Sequence, residues 1–107
     1  MKKFVMVVVS TMLIGGAAQA AAKPSIVLVH GAFEDANVWQ GVAAGLRQGG
    51  YTTIAVDLPG RPSNPAAPTD TSLTVYRSAV LKVISSVRGP VVLVGHSFGG
   101  FVISDVA

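Results

Sequence analysis

The sequence predicts an α/β fold built on a parallel sheet, and three observations support this. Short apolar runs rich in β-branched residues alternate with stretches in which apolar residues recur at helical spacing. A strand–helix–strand–helix–strand order requires crossover connections between parallel strands. The runs are apolar at successive positions, as in a sheet covered on both faces. With the first strand central, the order is second-first-third, and right-handed crossovers put the connecting helices on opposite faces.

The first half of this pattern lies between residues 25 and 56. Residues 25–29 are a short apolar run and form the first predicted strand. Apolar residues at helical spacing follow over residues 39–46, and the pair Gly49-Gly50 ends that helix. Residues 51–56 are rich in β-branched residues, so they form the second predicted strand.

The second half of the pattern begins with a proline-rich stretch, residues 61–70, which predicts an irregular loop. Ser72 is the expected N-cap of the next helix, whose apolar face extends over residues 73–87. Residues 91–94 form the third predicted strand, and the chain is predicted to be helical from Phe98 onward.

The first twenty residues have the layout of a secretory signal peptide. Two lysines precede an apolar run over residues 4–14, and the segment closes on Ala-Gln-Ala, a small-x-small cleavage pattern. We therefore expect residues 1–20 to be a signal peptide cleaved after Ala20, and the protein to be secreted or periplasmic. The alternative is an uncleaved anchor, but the strictly apolar part is shorter than the roughly 18–20 residues that a membrane span requires. No stable membrane association is expected after cleavage.

Composition excludes several classes of function. The net charge is +3, two of those charges come from the lysines of the predicted signal peptide, and no Lys/Arg cluster remains, so no nucleic-acid partner is expected. The absence of cysteine excludes disulfides, thiol nucleophiles and zinc–thiolate sites. Two widely spaced histidines do not form a metal site, and the sequence GHSFGG lacks the lysine of a phosphate loop. We expect no metal and no cofactor.

One serine lies in a frame of glycines between the third strand and the last helix. Gly95-His96-Ser97-Phe98-Gly99 matches G-x-S-x-G in a strand–turn–helix context. So sharp a turn gives the serine strained backbone angles and points its hydroxyl outward, and a side chain at either outer glycine would collide with the neighbouring strand or helix. This context favours Ser97 as a catalytic nucleophile over the alternative, a glycine-rich turn that happens to hold a serine.

A nucleophilic serine also needs hydrogen-bond donors for the oxyanion that forms on a substrate carbonyl. One expected donor is the backbone N–H of Phe98, the residue after the nucleophile. The other should come from the loop after an adjacent strand, and residues 30–33 form such a loop, with Ala32 as the expected donor and Phe33 as the alternative. The carboxyl ends of the first and third strands flank the switch point at which open α/β sheets bind ligands. We therefore expect both motifs at one site.

Three motifs together resemble the amino-terminal part of the α/β-hydrolase superfamily: HGAF with Trp39 downstream, VDLPG, and VGHSFGG. The resemblance covers nearly all of residues 25–107 and is closest to the branch of small esterases and hydroxynitrile-lyase-like proteins. It implies Ser97 as nucleophile, Ala32 and Phe98 as oxyanion donors, and hydrolysis of a small carboxylic ester through an acyl-enzyme. The chain lacks the HGGG loop of one carboxylesterase branch, and it has serine where epoxide hydrolases and haloalkane dehalogenases have aspartate.

The base and acid of a catalytic triad are not found in this sequence. In the family that it resembles they follow the nucleophile, and no histidine follows Ser97. His30 is instead expected to be a hydrogen-bonded structural residue of the oxyanion loop, and His30, Phe33 and His96 are the candidates for lining the pocket. Asp57 is expected to cap the turn after the second strand, and Asp105 to be an exposed helix charge. We therefore expect residues 21–107 to be the amino-terminal portion of a hydrolase domain, inactive alone, whose third strand is an edge that a further strand should cover.

Two alternatives to a serine hydrolase remain open at this stage. One is a ligand-binding relative that does not turn over its ligand, and the other is a lyase or perhydrolase on the same scaffold. In each case the expected partner is a small molecule. The substrate and the oligomeric state cannot be predicted from these residues.

Overall fold

The computed structural model describes residues 4–9 and 23–107, and in them four parallel strands form one sheet. The strands are β1 (Phe4–Val9), β2 (Ser25–Val29), β3 (Thr52–Val56) and β4 (Val91–His96). Their order is β1-β4-β2-β3, so β2 is central between β3 and β4. The predicted α/β class and the second-first-third order of the three predicted strands are therefore confirmed.

The fourth strand, β1, comes from the segment predicted to be a signal peptide. It pairs in parallel with β4, from Phe4 beside Val91 to Val9 beside His96. An apolar, valine-rich run has high strand propensity, and β4 offers it an unpaired edge. The expected cleavage site at residues 18–20 lies outside the described residues, so the signal peptide stays a prediction. Cleavage there would remove β1 from the mature chain.

Three α-helices connect and follow the strands: α1 (Gln40–Gln48), α2 (Leu73–Ser85) and α3 (Phe98–Val106). A short 3-10 turn, Ala36–Trp39, leads into α1, and a second, Pro68–Asp70, lies in the loop predicted to be irregular.

The predicted start of α2 is observed, because the Ser72 side chain accepts a hydrogen bond of 3.1 Å from the Val75 N–H. None of the helices in residues 23–107 is long and apolar enough to cross a bilayer.

The sheet is covered on both faces by separate apolar clusters. On one face Ile26 and Leu28 pack with Trp39 and Ala43 of the α1 segment. On the other face the buried residues come from the sheet, α2, α3 and the connecting segments: Val27, Val29, Val56, Leu58, Val80, Ile84, Val87, Val91, Leu93, Val102 and Ile103. Alternate residues of β2 therefore enter opposite cores. Each fully buried aliphatic side chain contributes about 1.5–3 kcal/mol, so Val27, Leu28 and Val29 of β2 stabilise both clusters.

Candidate functional site

Ser97 lies at the sharp turn between β4 and α3. Among the residues that the structure describes, it is the non-glycine residue with positive φ, at φ +54° and ψ −120°. The residue is exposed, and its side chain makes no capping hydrogen bond to α3. Residues with a β-carbon rarely adopt backbone angles with positive φ, and strained residues of this kind cluster at functional sites.

The glycines around Ser97 allow two backbone segments to approach each other closely. A β-carbon added to Gly95 would lie 2.5 Å from backbone atoms of Gly99 and Gly100. One added to Gly99 would run into the carbonyl oxygen of Val29 and come within 2.6 Å of the His30 carbonyl oxygen. The first turn of α3 therefore sits directly on the carboxyl end of β2, and the predicted collisions are observed.

This packing brings the loop after β2 beside the serine turn. Val29 is the register partner of Gly95, so the segments that follow them leave the sheet side by side. Neither the Ala32 N–H nor the Phe98 N–H donates a hydrogen bond within residues 23–107. Both amides are thus available to an acceptor, and the Phe98 amide begins α3, where the helix dipole favours negative charge.

His30 is fully buried, and both of its ring nitrogens bind backbone groups. Its Nε2 accepts a hydrogen bond of 3.1 Å from the Leu58 N–H, so the ring proton is on Nδ1, which donates to the Gly31 carbonyl at 2.8 Å. Burial is the largest influence and lowers the pKa of His30, although the bond to Gly31 acts against it. The neutral ring ties the ends of β2 and β3 together.

Glu34 joins the two loops of the site, and sequence reasoning did not identify it. Its Oε1 accepts hydrogen bonds from the Gly31 N–H at 2.7 Å and from His96 Nδ1 at 3.0 Å. The bond from His96, then that from Gly31, lowers the pKa of Glu34. His96 is partly exposed and directly precedes Ser97. Nothing in the sequence distinguished Glu34 from an ordinary solvated loop carboxylate.

A Glu34→Gln variant should lose stability at neutral pH but not under acid conditions. The folded-state pKa of Glu34 lies below its unfolded value of about 4.3, so its contribution is present above that value and is lost as the pH falls through the folded-state pKa. We expect the variant to be destabilised by about 1 kcal/mol or less at pH 7, as is usual for partly exposed pairs. Thermal unfolding of the variant and of wild type between pH 7 and pH 3 measures the difference in their stability. A difference from wild type that stays constant over that range would contradict it.

Two further acidic residues, Asp57 and Asp105, serve the framework. Burial by itself would raise the pKa of Asp57, but the hydrogen bonds from the Ser63 hydroxyl and from the Ala36 N–H, the latter of 2.8 Å, hold it below its ordinary value. Asp105 lies on the outer side of α3 and forms a 3.4 Å ion pair with Arg77 of α2. In residues 23–107 no three His, Asp or Glu side chains cluster as a metal site would require.

A surface depression lies on the outer side of the loop after β2. Its lining includes Ala32, Phe33 and Val38 from that segment, and Gly60 and Arg61 from the loop after β3. The Phe33 side chain is fully exposed there, which is unusual for so large an apolar group. The structure thus brings Ala32, Phe33, His96 and Ser97 to one end of the sheet, with His30 beneath them in the core.

Comparison with known proteins agrees with this geometry. Residues 26–107 match the model of the Alpha/beta hydrolase family. Alpha/beta hydrolase nvfD of Aspergillus novofumigatus is 37% identical over 86 residues, which are 79% of this chain and 34% of that protein. Norfluorocurarine synthase 2 of a Strychnos species is 36% identical over 81 residues, 73% of this chain and 30% of that protein.

A solved structure is similar as well. It is an extracellular alpha/beta-hydrolase from a Paenibacillus species, described as sharing structural and functional homology with tobacco salicylic acid binding protein 2. The match has a TM-score of 0.67 at 28% identity and covers 78% of this chain and 34% of that one. The chain therefore spans about a third of the length of these proteins.

Proposed function

Because this chain belongs to the alpha/beta hydrolase family, we propose that it carries the nucleophile and oxyanion site of a serine hydrolase acting on small carboxylic esters. The observation that carries the proposal is the strained, exposed Ser97 at the junction of β4 and α3, with φ at +54°. Strain of this kind is retained where the surrounding structure enforces it, and here α3 packs closely against the ends of β2 and β4 on either side of Ser97. The two unengaged amides beside it, of Ala32 and Phe98, support acyl chemistry in particular.

The proposed reaction has two halves. The Ser97 hydroxyl attacks the ester carbonyl carbon, its proton passes to a general base, and the carbonyl electron pair moves onto oxygen, where the Ala32 and Phe98 amides stabilise it. Collapse of this intermediate expels the alcohol, which takes the proton, and leaves an acyl group on Ser97. Water then attacks the acyl group in the same way, releasing the acid and restoring the serine.

The general base and its carboxylate are assigned to the rest of the hydrolase fold. His30 does not suit the role, because both of its ring nitrogens bind backbone groups. His96 ends β4 directly before Ser97, and the side chains of consecutive residues diverge there, so its ring is not expected to face the Ser97 hydroxyl. The relatives are about three times as long as the matched segment, which supports a location outside these residues. On this proposal residues 21–107 alone are inactive.

The remaining parts of the proposal concern the surroundings of the site. Phe33 and His96 line the substrate pocket, and His30 supports it from the core. The substrate is a small molecule, and the chemistry requires no cofactor, metal or nucleic acid. The signal-peptide pattern in residues 1–20 supports export, and so does the extracellular relative from Paenibacillus.

Covalent labelling tests the proposal. In a fluorophosphonate probe the serine oxygen displaces fluoride from phosphorus, so an activated serine becomes phosphonylated. We expect the full-length protein to be labelled on the peptide that contains Ser97, as located by mass spectrometry, and labelling to persist in Ser85→Ala, which removes a hydroxyl that bonds within α2. No adduct on Ser97 in folded protein would refute the proposed nucleophile.

An activity other than ester hydrolysis on the same scaffold, such as that of a lyase, is the second candidate, because one relative is named as a synthase and not as a hydrolase. The two activities differ in their products, because only a hydrolase consumes water and releases an acid from an ester. Labelling of Ser97 without turnover of p-nitrophenyl acetate or other small esters would favour the lyase, or a relative that only binds its ligand. Ester turnover that is lost with Ser97 would favour the hydrolase.

A further inference from the structure

The side chain of Arg61, in the loop after β3, reaches the loop that follows β2. Its Nε donates to the Glu34 carbonyl at 3.0 Å, and its Nη2 to the carbonyls of Gly31 at 3.3 Å and Ala32 at 2.5 Å. Its Nη1 donates to the Pro59 carbonyl at 3.2 Å, within its own loop. One guanidinium group thus ties together three carbonyls of a neighbouring four-residue turn.

The backbone of Arg61 is itself fixed. The Gly60 N–H donates to the Asn64 carbonyl at 2.8 Å, and the Asn64 N–H donates back to the Arg61 carbonyl at 2.9 Å. The Asn64 side chain then donates to the Asp57 carbonyl at 2.9 Å, which connects this turn to the end of β3. The guanidinium also lies over the Tyr76 ring, 5.8 Å from its centroid. The backbone from which the Arg61 side chain extends is therefore held in place by these hydrogen bonds.

These carbonyl contacts fix the direction of the amides in the same peptide units. In a planar trans peptide the C=O of one residue points opposite to the N–H of the next. The Gly31 carbonyl is held by Arg61, by His30 Nδ1 at 2.8 Å and by the Glu34 N–H at 3.3 Å, so the Ala32 N–H must point away from them. The Ala32 carbonyl accepts a hydrogen bond from Arg61. The Phe33 N–H, which belongs to the same peptide unit, must therefore also point away from Arg61.

We propose that Arg61 is a positioning residue for the oxyanion site: its guanidinium fixes the Gly31–Ala32 and Ala32–Phe33 peptides so that their N–H groups face the substrate oxygen. This inference rests on the proposed function, because it assumes that the Ala32 amide is an oxyanion donor. Three bonds to differently placed carbonyls need the planar fork of arginine, and a lysine ammonium on a flexible stem does not reproduce them. Arg61 acts from the carbonyl side of these peptides.

The test compares Arg61→Lys and Arg61→Ala with wild type in the full-length protein. Arg47→Ala is the matched control, because Arg47 donates to the Thr53 hydroxyl at the opposite face of the sheet. Three quantities are measured: kcat and KM for p-nitrophenyl acetate, the rate of Ser97 phosphonylation, and ¹⁵N order parameters of the Ala32 and Phe33 amides. Each is repeated for Arg61→Ala with added guanidinium ion.

We expect kcat and the phosphonylation rate to fall about 10–100-fold in both Arg61 variants, less than the roughly 10²–10³-fold cost of losing an oxyanion donor outright. KM should stay within about twofold, since the defect concerns the transition state. The order parameters should drop from about 0.85 to below about 0.6. Guanidinium should restore part of the Arg61→Ala rate and should not change Arg47→Ala.

Different results separate this inference from the proposed function. If wild type reacts at Ser97 but the Arg61 variants keep its rates and order parameters, Arg61 has no positioning role and the proposed function stands. A rate loss without a change in order parameters and without rescue by guanidinium also overturns the positioning role. If the wild-type protein is neither labelled at Ser97 nor able to hydrolyse ester, the proposed function fails. The order parameters still test Arg61 in that case: if they are the same in the Arg61 variants as in wild type, Arg61 does not fix these amides.

Discussion

Replacing Ser97 by glycine should give a protein that is more stable than wild type and catalytically inactive. At φ +54° and ψ −120° the serine β-carbon is strained, and such residues cost about 1–3 kcal/mol. Glycine adopts these angles without strain but loses about 0.5–1 kcal/mol through its greater freedom in the unfolded chain. The net gain should be about 1 kcal/mol. Loss of the proposed nucleophile should lower turnover about 10⁴–10⁶-fold.

Thermal unfolding and esterase assays of the full-length protein measure both effects, and two variants serve as controls. Ser97→Ala removes the hydroxyl but keeps the β-carbon, so it should be equally inactive without the gain in stability. Ser85→Gly, at the end of α2, should lose up to about 1 kcal/mol, as expected of glycine in a helix. A Ser97→Gly protein no more stable than Ser97→Ala would show that the turn carries no strain, and the main argument for Ser97 would fail.

Gly99→Ala should have the opposite effect and lower stability by about 3 kcal/mol or more, at or above the upper end of ordinary overpacking. The added methyl group would overlap the Val29 carbonyl oxygen and lie 2.6 Å from that of His30. Both atoms belong to backbone at the end of the central strand, so neither can swing aside as a flexible side chain would. Relief requires α3 to move away from β2, which would also separate the amides of Ala32 and Phe98.

Gly45→Ala is the matched control for that experiment. Gly45 lies in the middle of α1, and a β-carbon there would meet no atom within 4 Å. Alanine should therefore stabilise the helix by about 0.5–1 kcal/mol. Denaturant unfolding of both variants gives the two changes, which should have opposite signs. If Gly99→Ala unfolds like wild type, the close approach of α3 to β2 is not required for the fold.

Short-range patterns were sufficient to predict the sheet and the serine turn. Each predicted strand was one short run rich in β-branched or apolar residues. The G-x-S-x-G spacing of Gly95, Ser97 and Gly99 has a steric meaning that is independent of the remaining sequence. The predicted signal segment illustrates the opposite case, because the same apolar residues suit both an export signal and the strand β1. The composition of this segment therefore does not distinguish a signal peptide from a strand of the sheet.

The polar contacts of the site were beyond sequence reasoning for a physical reason. Glu34 meets His96 across 62 positions of the chain, and Arg61 meets Gly31 across 30. Such pairs depend on the positions that the ends of long side chains take in the folded protein. The hydrophobic periodicity of the sequence does not predict these positions. His30 could be predicted to be a hydrogen-bonded structural residue, but its partners could not be named, because they depend on where Leu58 enters the core.

The two amides assigned to the oxyanion are main-chain groups on loops that leave neighbouring strands. Because every amino acid except proline carries such a group, libraries that vary side chains at positions 32 and 98 leave the chemistry itself intact. Removing either donor alone calls for protein semisynthesis, in which an ester linkage replaces one peptide bond. In directed evolution, changes in the oxyanion site would therefore arise from substitutions at residues that set the conformation of these two loops.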